Sequence, residues 1–327
     1  MSVCICGPTA LELYRNRGRM AHELLDAPRT GSLSGCVIPS GTDLEDVVRM
    51  TGVHEPPFHF MVPIQHHPRN MDAVVRHVRS GPYTLSSFIK LPGDVLVTSP
   101  ELTLYELAQE FKRDRLASLD VVELAIVAFQ LCGTYLLDTD EQAWSGFTNT
   151  ARPLAKMARV RRLLDRLEGA RGVRKVRAAL ELSLDGSNSP METVLAALLT
   201  FPRRVGGVGL GPAVMNYVVE TPSGPKWIDV AFPEHKVGVE YKGRDPHSVE
   251  KTGRDDRRQN KLHGSGWTII NVWYEDIADP NLFGDLIGDV TRAMGVRLRI
   301  RDDRFTSRQS LLRAKLIPAF KRYARVS

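Results

Sequence analysis

Three ionisable residues in the last third of the chain have the types and spacing of a metal-dependent hydrolytic site. Glu240 and Lys242 are two residues apart in the segment HKVGVEYKG, and Asp229 precedes them in KWIDVAFP. Residues two apart on a β-strand point to the same face, and a second strand joined through a short turn can bring Asp229 to that face. Two carboxylates supply the hard oxygen ligands of Mg²⁺ or Mn²⁺, and a lysine beside them can orient an attacking water and offset charge on phosphorus. We therefore predict Asp229, Glu240 and Lys242 as catalytic residues, with Asp229 and Glu240 as metal ligands.

The neighbours of Asp229 favour this functional interpretation over a structural one. In the structural alternative, Glu240 and Lys242 form a surface ion pair on an exposed strand, with Asp229 at a turn. Ile228 and Val230 flank Asp229, however, and a residue between two apolar positions of this kind lies inside a strand. Charges on the middle strands of a sheet are unfavourable unless they are paired or bind metal. The sequence therefore favours a functional site.

The elements around these residues can be predicted from hydrophobic spacing and turn residues. Ser189, Pro190 and Glu192 have the pattern of an N-cap, a first-turn proline and a capping-box glutamate, which predicts a helix from Pro190 to Thr200. Three apolar segments joined by short turns then predict an antiparallel meander: AVMNYVVE, KWIDVAFP and HKVGVEYKG. The order α-β-β-β-α-β-α is completed by a polar helix over about 250–263, the strand WTIINVWYE and a helix over about 276–294.

With motifs in this order, residues 187–296 resemble the PD-(D/E)xK nucleases, and more closely the branch related to very-short-patch-repair endonucleases. The resemblance rests on SPMETVLAALL, WIDVAFPEHKVGVEYKG, RDDRRQNKLHGSGW and IINVWYEDI. It implies a sheet flanked by helices, divalent-metal-dependent endonuclease cleavage of DNA, and an acid–acid–lysine set formed by Asp229, Glu240 and Lys242. Ile228 stands where the motif's name has proline, and Lys242 stands where many members of the branch have aspartate or another residue.

Glu192 has two interpretations that the sequence leaves open. In several relatives of that branch, a glutamate on the helix before the meander reaches the metal, which makes Glu192 a third candidate ligand of Mg²⁺ or Mn²⁺. The capping box that starts with Ser189 explains the same glutamate as a structural residue. Asp255, Arg258 and Asn260 match the polar helix of the branch. The resemblance implies that these residues hold the active strand or a phosphate, and the alternative is that they are solvated helix residues.

The remaining chain predicts further parts with different compositions. Residues 1–101 combine short apolar strands with Gly/Pro-rich turns, which indicates a small α+β domain. Apolar positions three and four residues apart over 102–186 predict a helical connector. A nuclease-like domain over 187–296 and a basic tail over 297–327 follow. The expected fold class is an α+β N-terminal and helical region followed by an α/β PD-(D/E)xK nuclease-like domain.

Positive charge is concentrated in two segments. The chain has a net charge of +6, yet residues 156–177 hold nine Lys/Arg against two acidic residues, and residues 297–327 hold ten against two. Solvated helix faces would explain each segment alone, but concentrated charge is also typical of a surface that contacts a polyanion. We therefore predict contacts with DNA, or alternatively RNA, from these residues: Lys156, Arg159, Arg161, Arg162, Arg174, Lys175, His247, Lys251, Arg254, Arg257 and Arg258.

Other residue types narrow the classes of function. Four irregularly spaced cysteines without a paired Cys/His cluster argue against a zinc site and favour a reduced cytoplasm. Charged residues from position 12 onward interrupt any signal peptide. The most apolar run of the chain covers residues 121–137. Glu123 and Gln130 interrupt it, so we expect a buried helix there and not a membrane span. We expect a cytoplasmic protein without a membrane partner.

Two alternatives to a nuclease remain open. The segment VTSPELTLYELA resembles a segment of antitoxin or regulator proteins of abortive-infection systems, which implies a DNA-binding regulator that does not cut. The second alternative is a subunit of a bacterial defence assembly, with a protein partner bound through the N-terminal region. An intact set of Asp229, Glu240 and Lys242 favours the enzyme, because a binding protein has no need of an unfavourable charged cluster.

Overall fold

The protein consists of two compact units of mixed α/β structure. The computed structural model describes residues 2–63, 73–79, 81, 83–109, 119–138, 146–243, 249–298 and 303–320, and for 249–256, 303 and 318–320 the backbone alone. The first unit comprises Met1–Gln142 and Thr148–Ser183, and the second comprises Ala143–Phe147 and Leu184–Ser327. No helix within the described ranges has both the length and the apolar character needed to cross a membrane.

Within the described residues, a six-stranded mixed sheet forms the centre of the first unit. Its strands are β1 (Val3–Ile5), β2 (Arg29–Thr30), β3 (Phe58–Val62), β4 (Val74–Val78), β5 (Phe88–Leu91) and β6 (Val95–Thr98), in the order β2-β5-β6-β1-β3-β4. β1 pairs in parallel with β6 and β3 with β4, whereas the other pairs are antiparallel. The β5–β6 hairpin turns at Gly93 and Asp94, whose positive φ values of 71° and 59° suit these residue types. The small α+β structure expected over residues 1–101 is present.

Helices extend the first unit to residue 183. They are α1 (Gly7–Asn16), α2 (Thr42–Thr51), α3 (Pro100–Glu106), α4 (Val121–Cys132), α5 (Met157–Arg166) and α6 (Val173–Leu182), with a 3₁₀ helix over Gly18–Asp26 and a small sheet of β7 (Tyr135–Leu137) and β8 (Phe147–Asn149). The sequence predicts a boundary near residue 101, but residues on both sides of it lie in one unit. The reason is α3, which is buried at every position and packs against β6 and against α4, α5 and α6.

The core of the first unit contains a buried series of polar groups. His59 Nδ1 lies 2.8 Å from His77 Nε2, and His77 Nδ1 lies 3.1 Å from a carboxylate oxygen of Glu106. Arg79 donates two hydrogen bonds to the same carboxylate, at 3.1 and 3.2 Å. Burial raises the pKa of Glu106, but the hydrogen bond from His77 and the charge of Arg79 outweigh it and hold that pKa below its usual value. Burial and then the neighbouring His77 lower the pKa of His59 to about 3, so this imidazole is neutral.

In the described part of the second unit, a four-stranded mixed sheet carries the residues of interest. Its strands are β9 (Val214–Val219), β10 (Lys226–Phe232), β11 (Val237–Tyr241) and β12 (Thr268–Val272), in the order β12-β11-β10-β9. β9, β10 and β11 form an antiparallel meander, and β12 pairs with β11 in parallel. The predicted meander is therefore confirmed, with β10 and β11 as inner strands.

The helices of the second unit follow the predicted order, with one correction. They are α7 (Pro190–Thr200), α8 (Val249–Gly264), α9 (Tyr274–Ala278), α10 (Pro280–Ala293) and α11 (Asp303–Phe320). The single helix predicted over 276–294 is wrong, because the chain forms α9 and α10 there. Pro280 lacks a backbone N–H and fits the first turn of a new helix. Asp279 caps α10 by accepting hydrogen bonds from the N–H groups of Asn281 and Leu282, at 2.8 and 3.1 Å.

The C-terminal basic segment is part of the folded second unit over α11. This helix packs against α7 and α9, and Phe305 and Leu312 are buried on it. Arg313, one of the basic residues of the predicted tail, is also buried and donates to the backbone carbonyls of Ile277 and Ala278. These carbonyls lie at the C-terminal end of α9, where helical acceptors lack partners within the helix. Arg313 therefore has a structural role.

Candidate active site

Strand pairing brings Asp229 and Glu240 to the same face of the second sheet. β10 and β11 are antiparallel with Val230 opposite Val239, so Asp229 and Glu240 are the next positions in register. Directly opposed residues of such a pair point to one face, with Cβ atoms about 5 Å apart. The N–H of Tyr241 donates to Asp229 Oδ2 at 2.8 Å and fixes this carboxylate beside the end of β11. The predicted placement of Asp229 and Glu240 on adjacent antiparallel strands is confirmed.

Glu240 is buried and is held by two cationic side chains. Its exposed fraction is 1%, and Lys242 Nζ and Arg258 Nη1 donate to its Oε2 at 2.9 and 2.8 Å. Arg258 Nη2 lies 2.8 Å from Oε1 and donates to the carbonyl of Trp227. Within the described residues, Oε1 of Glu240 accepts no hydrogen bond of suitable geometry. The nearby guanidinium offsets the charge of this oxygen, which keeps the capacity to accept a hydrogen bond or to bind a cation.

Asp229 has a pKa that reflects the crowding of negative charge. Burial and then repulsion from Glu240 raise the pKa of Asp229 to about 6. The N–H of Tyr241 and the charges of Arg258 and Lys242 act in the opposite direction. Burial and repulsion outweigh these opposing contributions. Arg258 and Lys242 therefore offset the negative charge of this face only in part.

Glu192 belongs to the same electrostatic cluster. Burial and then repulsion from Asp229 raise the pKa of Glu192 to about 8. The backbone N–H of Asn188 and the side-chain amide of Asn216 donate to its Oε2, at 2.9 and 2.7 Å. Asn216 has a positive φ of 47° within β9, and its amide also donates to the carbonyl of Gly186 at 2.8 Å. The side-chain amide of Asn216 therefore links Glu192 to the loop before α7, from a residue with an unusual backbone conformation.

The capping box predicted at the start of α7 is present only in part. The hydroxyl of Ser189 accepts a hydrogen bond from the N–H of Glu192 at 3.2 Å, as the pattern predicts. The carboxylate of Glu192 accepts from the N–H of Asn188 and not from that of Ser189, so the predicted reciprocal bond is wrong. Asn188 and Asn216 donate to Oε2, and the Ser189 side chain is a further hydrogen-bond partner of this carboxylate. These contacts hold Glu192 in the metal-free protein, and metal binding by Glu192 stays a prediction.

Glu192→Gln is expected to stabilise the metal-free protein near pH 8 by roughly 1–3 kcal/mol. The glutamine carbonyl retains both acceptor contacts, while the ionisable group is removed. The folded-state pKa of about 8 lies above the ordinary 4.5, so the stability that the protonated carboxyl contributes is present below pH 4.5 and is lost as the pH rises through 8. Thermal unfolding at both ends of this window measures the gain. An equal gain near pH 4.5 would assign the effect to hydrogen bonding instead of charge.

The carboxylates of Asp229, Glu240 and Glu192 suit a divalent cation. Their oxygens are the hard donors that Mg²⁺ and Mn²⁺ prefer. The raised pKa values and the buried Oε1 of Glu240 indicate negative charge that a further cation would stabilise. Among the described side chains, no three His, Cys, Asp or Glu residues are grouped closely enough to hold a metal ion. Lys242 and Arg258 lie against Glu240 instead, so metal binding requires these side chains to rearrange.

A basic and aromatic groove adjoins this site. It has a volume of about 460 Å³ and is lined on β10 and α8 by Lys226, Trp227, Arg257, Arg258 and Lys261, among others. Trp227 is 50% exposed and lies two residues before Asp229 on β10, so the two share a face. Exposed aromatic rings beside cations are typical of surfaces that bind nucleic-acid strands. Lys226, Trp227 and Lys261 are not among the residues predicted from the sequence, although the spacing of Trp227 from Asp229 was a usable signal.

The other residues predicted to contact nucleic acid are divided between the two units. The first unit holds Lys156, Arg159, Arg161 and Arg162 at α5, and Arg174 and Lys175 on α6. His247 lies outside the described residues, as do the side chains of Lys251 and Arg254. Of the predicted set, Arg257 and Arg258 are the described members that line the groove beside Asp229.

Comparison of the chain with protein-family models, with curated proteins and with solved structures found no match. Neither the resemblance to PD-(D/E)xK nucleases nor the resemblance to antitoxin segments gains support from known relatives. The chemistry of this site is therefore inferred from its own residues.

Proposed function

We propose that the protein is a metal-dependent endonuclease that hydrolyses phosphodiester bonds of DNA through a PD-(D/E)xK-like second unit. The observation that carries this proposal is the convergence of Asp229, Glu240 and Lys242 at two inner strands, where Glu240 keeps a buried oxygen without a hydrogen bond. The element order α-β-β-β-α-β-α around a mixed sheet is compatible with that family. A cytoplasmic location and Mg²⁺ or Mn²⁺ as the cofactor belong to the same proposal.

The carboxylates of Asp229 and Glu240 would hold the divalent ion, with Glu192 as a third candidate. When bound, the ion supplies Lewis-acid polarisation of a phosphate oxygen and lowers the pKa of bound water. The N–H of Tyr241 orients Asp229 before any ion binds, at 2.8 Å from Oδ2. Such pre-orientation reduces the rearrangement that is needed during the reaction.

Lys242 and Arg258 act on the reacting phosphate and on the attacking water in this proposal. The Lys242 side chain is 20% exposed while its Nζ lies 2.9 Å from Glu240, so it reaches both the carboxylate and solvent. Its ammonium group can orient a water and stabilise the negative charge that develops on phosphate oxygens. Arg258, which donates to Glu240 in the metal-free protein, could direct a guanidinium N–H to the same phosphate oxygens instead.

The groove beside the site provides a path for the nucleic-acid strand. Lys226, Arg257 and Lys261 place positive charge along it, next to the exposed ring of Trp227. Cations neutralise strand phosphates, and an aromatic ring stacks on a base without sequence preference. The groove therefore positions the strand, while the carboxylates carry the chemistry.

A cleavage assay on supercoiled plasmid DNA tests the proposal. Nicking that requires Mg²⁺ or Mn²⁺ and stops with a chelator supports it. Binding without cleavage under either ion would favour the DNA-binding regulator, and the absence of both would favour a subunit of a defence assembly. The same assay on labelled RNA determines which polyanion is cut.

Lys242→Ala is expected to lower the cleavage rate on the order of 10²–10⁴-fold. DNA affinity should stay within about twofold, because one partly exposed ion pair contributes little binding free energy. Cleavage rates and gel-shift affinities separate the two effects. Lys236→Ala is a matched control, since Lys236 is an exposed lysine at the other end of β11. Equal losses of binding and cleavage would assign Lys242 to phosphate contact instead of catalysis.

A further inference from the structure

The first unit contains a concave pocket lined by arginine and hydroxyl side chains. Its volume is about 480 Å³, and its lining includes Arg29, Arg159, Arg162, Arg166, Ser87 and Ser99. Small-molecule sites have volumes of roughly 300–1,000 Å³, so this pocket has the size of a ligand site. All its lining residues belong to the first unit.

Three arginines of this pocket have side chains without an ion-pair partner among the described residues. Arg159, Arg162 and Arg166 have the spacing of one face of α5. In the described part of the chain, the guanidinium groups of these three form no ion pair and no hydrogen bond with another residue. Arg29 is held at the rim, because its guanidinium donates to the carbonyls of Ser86 and Leu25, at 3.1 and 3.4 Å. Three arginines are thus available to a ligand beside one that is fixed in place.

Two buried serines in the pocket lining carry hydroxyl groups. Ser87 and Ser99 are each 3% exposed, and the N–H of Ser99 donates to the carbonyl of Ser87 at 2.8 Å, which fixes their backbones. The Ser99 hydroxyl accepts from the N–H of Leu102 at 3.3 Å and keeps its own hydrogen to donate. A buried donor beneath arginines suits a compact anion that can enter the pocket.

One carboxylate also lines the pocket, and it narrows the class of ligand. Glu101 is 8% exposed and lies among the arginines and serines. Four guanidinium groups outnumber it, so the pocket keeps a positive charge. A carboxylate accepts hydrogen bonds from hydroxyl groups, such as those of a ribose, that accompany the anion.

We propose that this pocket binds a terminal phosphate group, most favourably a diphosphate or triphosphate, carried by a free nucleotide or by the end of a nucleic-acid strand. Guanidinium groups bind phosphate oxygens in a bidentate manner, and several arginines match several adjacent phosphates. Ser87 and Ser99 are each 3% exposed, which favours a small terminal phosphate over the internal backbone of a duplex. This site is independent of the proposed nuclease chemistry, because no residue of the second unit lines it.

Binding of pyrophosphate to the full-length protein, measured by calorimetry at low salt with a chelator present, tests this inference. The chelator keeps metal-bound phosphate out of the measurement. The double substitution Arg159→Ala/Arg162→Ala is expected to weaken binding by about tenfold or more. Arg49→Ala removes the same kind of charge from an exposed position on α2 that does not line the pocket, and it should change the affinity by about twofold at most. Absence of binding to the wild type, or an equal loss in Arg49→Ala, would overturn the proposal.

Competition experiments distinguish the two sources of the phosphate. Tighter binding of ADP than of pyrophosphate assigns the pocket to a free nucleotide, with Glu101 as the acceptor for the ribose. Displacement of pyrophosphate by a 5′-phosphorylated oligonucleotide, but not by its 5′-hydroxyl counterpart, assigns it to a strand end. Equal displacement by both oligonucleotides would contradict a terminal-phosphate site, since internal phosphates would then suffice.

Discussion

Metal-dependent cleavage should fall on the order of 10³-fold or more in Asp229→Asn, equivalent to about 4 kcal/mol of lost transition-state stabilisation. The asparagine keeps an oxygen that can accept the hydrogen bond from Tyr241, so the β10–β11 pairing should persist. It removes the negative charge that a divalent ion needs. The loss is therefore expected in the chemistry and not in the fold. Initial rates of plasmid nicking, with circular dichroism on the same samples, measure both.

A second readout links this loss to the ion itself. A ligand that binds only the folded state raises the melting temperature, so Mn²⁺ should stabilise the wild type and have little effect on Asp229→Asn. Asp285→Asn is the control, because Asp285 is an exposed aspartate on α10. Cleavage by Asp229→Asn at the wild-type rate would place the active site elsewhere in the chain.

Removal of the chain after Met294 is expected to unfold the second unit. α11 packs against α7 and buries Phe305, Leu312 and Leu316. Each large buried side chain lost contributes about 2–5 kcal/mol, and a whole domain is stable by only about 5–15 kcal/mol. Thermal unfolding and limited proteolysis measure the effect. If the truncated protein stays folded and loses only salt-dependent affinity for DNA, the result would contradict the packing of α11 and support the basic tail expected from the sequence.

Two adjacent leucines offer a matched test of this packing in the full-length chain. Leu312 is 3% exposed and Leu311 is 70% exposed. Leu312→Ala should lower the free energy of unfolding by about 2–4 kcal/mol, whereas Leu311→Ala should change it by about 0.5 kcal/mol or less. Equal effects of the two substitutions would contradict the docking of α11 through Leu312.

Local signals predicted the inner part of the second unit well. The helix expected from Pro190 to Thr200 has those bounds, because Ser189 and Pro190 define its start through contacts within one turn. The facing positions of Asp229 and Glu240 follow from the alternation of strand side chains and from a short turn. Both features depend on residues close together in the sequence, so the sequence alone was enough to predict them.

Features that depend on distant contacts do not follow from local spacing. Arg258 lies 18 residues from Glu240, and its hydrogen bond to that residue of the active strand was implied only by the family resemblance, with a contact to phosphate as the alternative. The charge of the last thirty residues suggested an exposed tail, although Phe305, Leu312 and Leu316 provide the apolar positions of a packed helix. The spacing of these apolar residues indicates a packed helix, which the charge of the segment alone does not.

The buried series from Glu106 to His59 holds two rings through one carboxylate. An ionised carboxylate only accepts hydrogen bonds, so His77 donates to Glu106 from Nδ1. The contact of 2.8 Å between Nε2 of His77 and Nδ1 of His59 then needs a hydrogen on one of these two nitrogens. A single carboxylate on α3 thus determines the orientation of two imidazoles on neighbouring strands, one after the other.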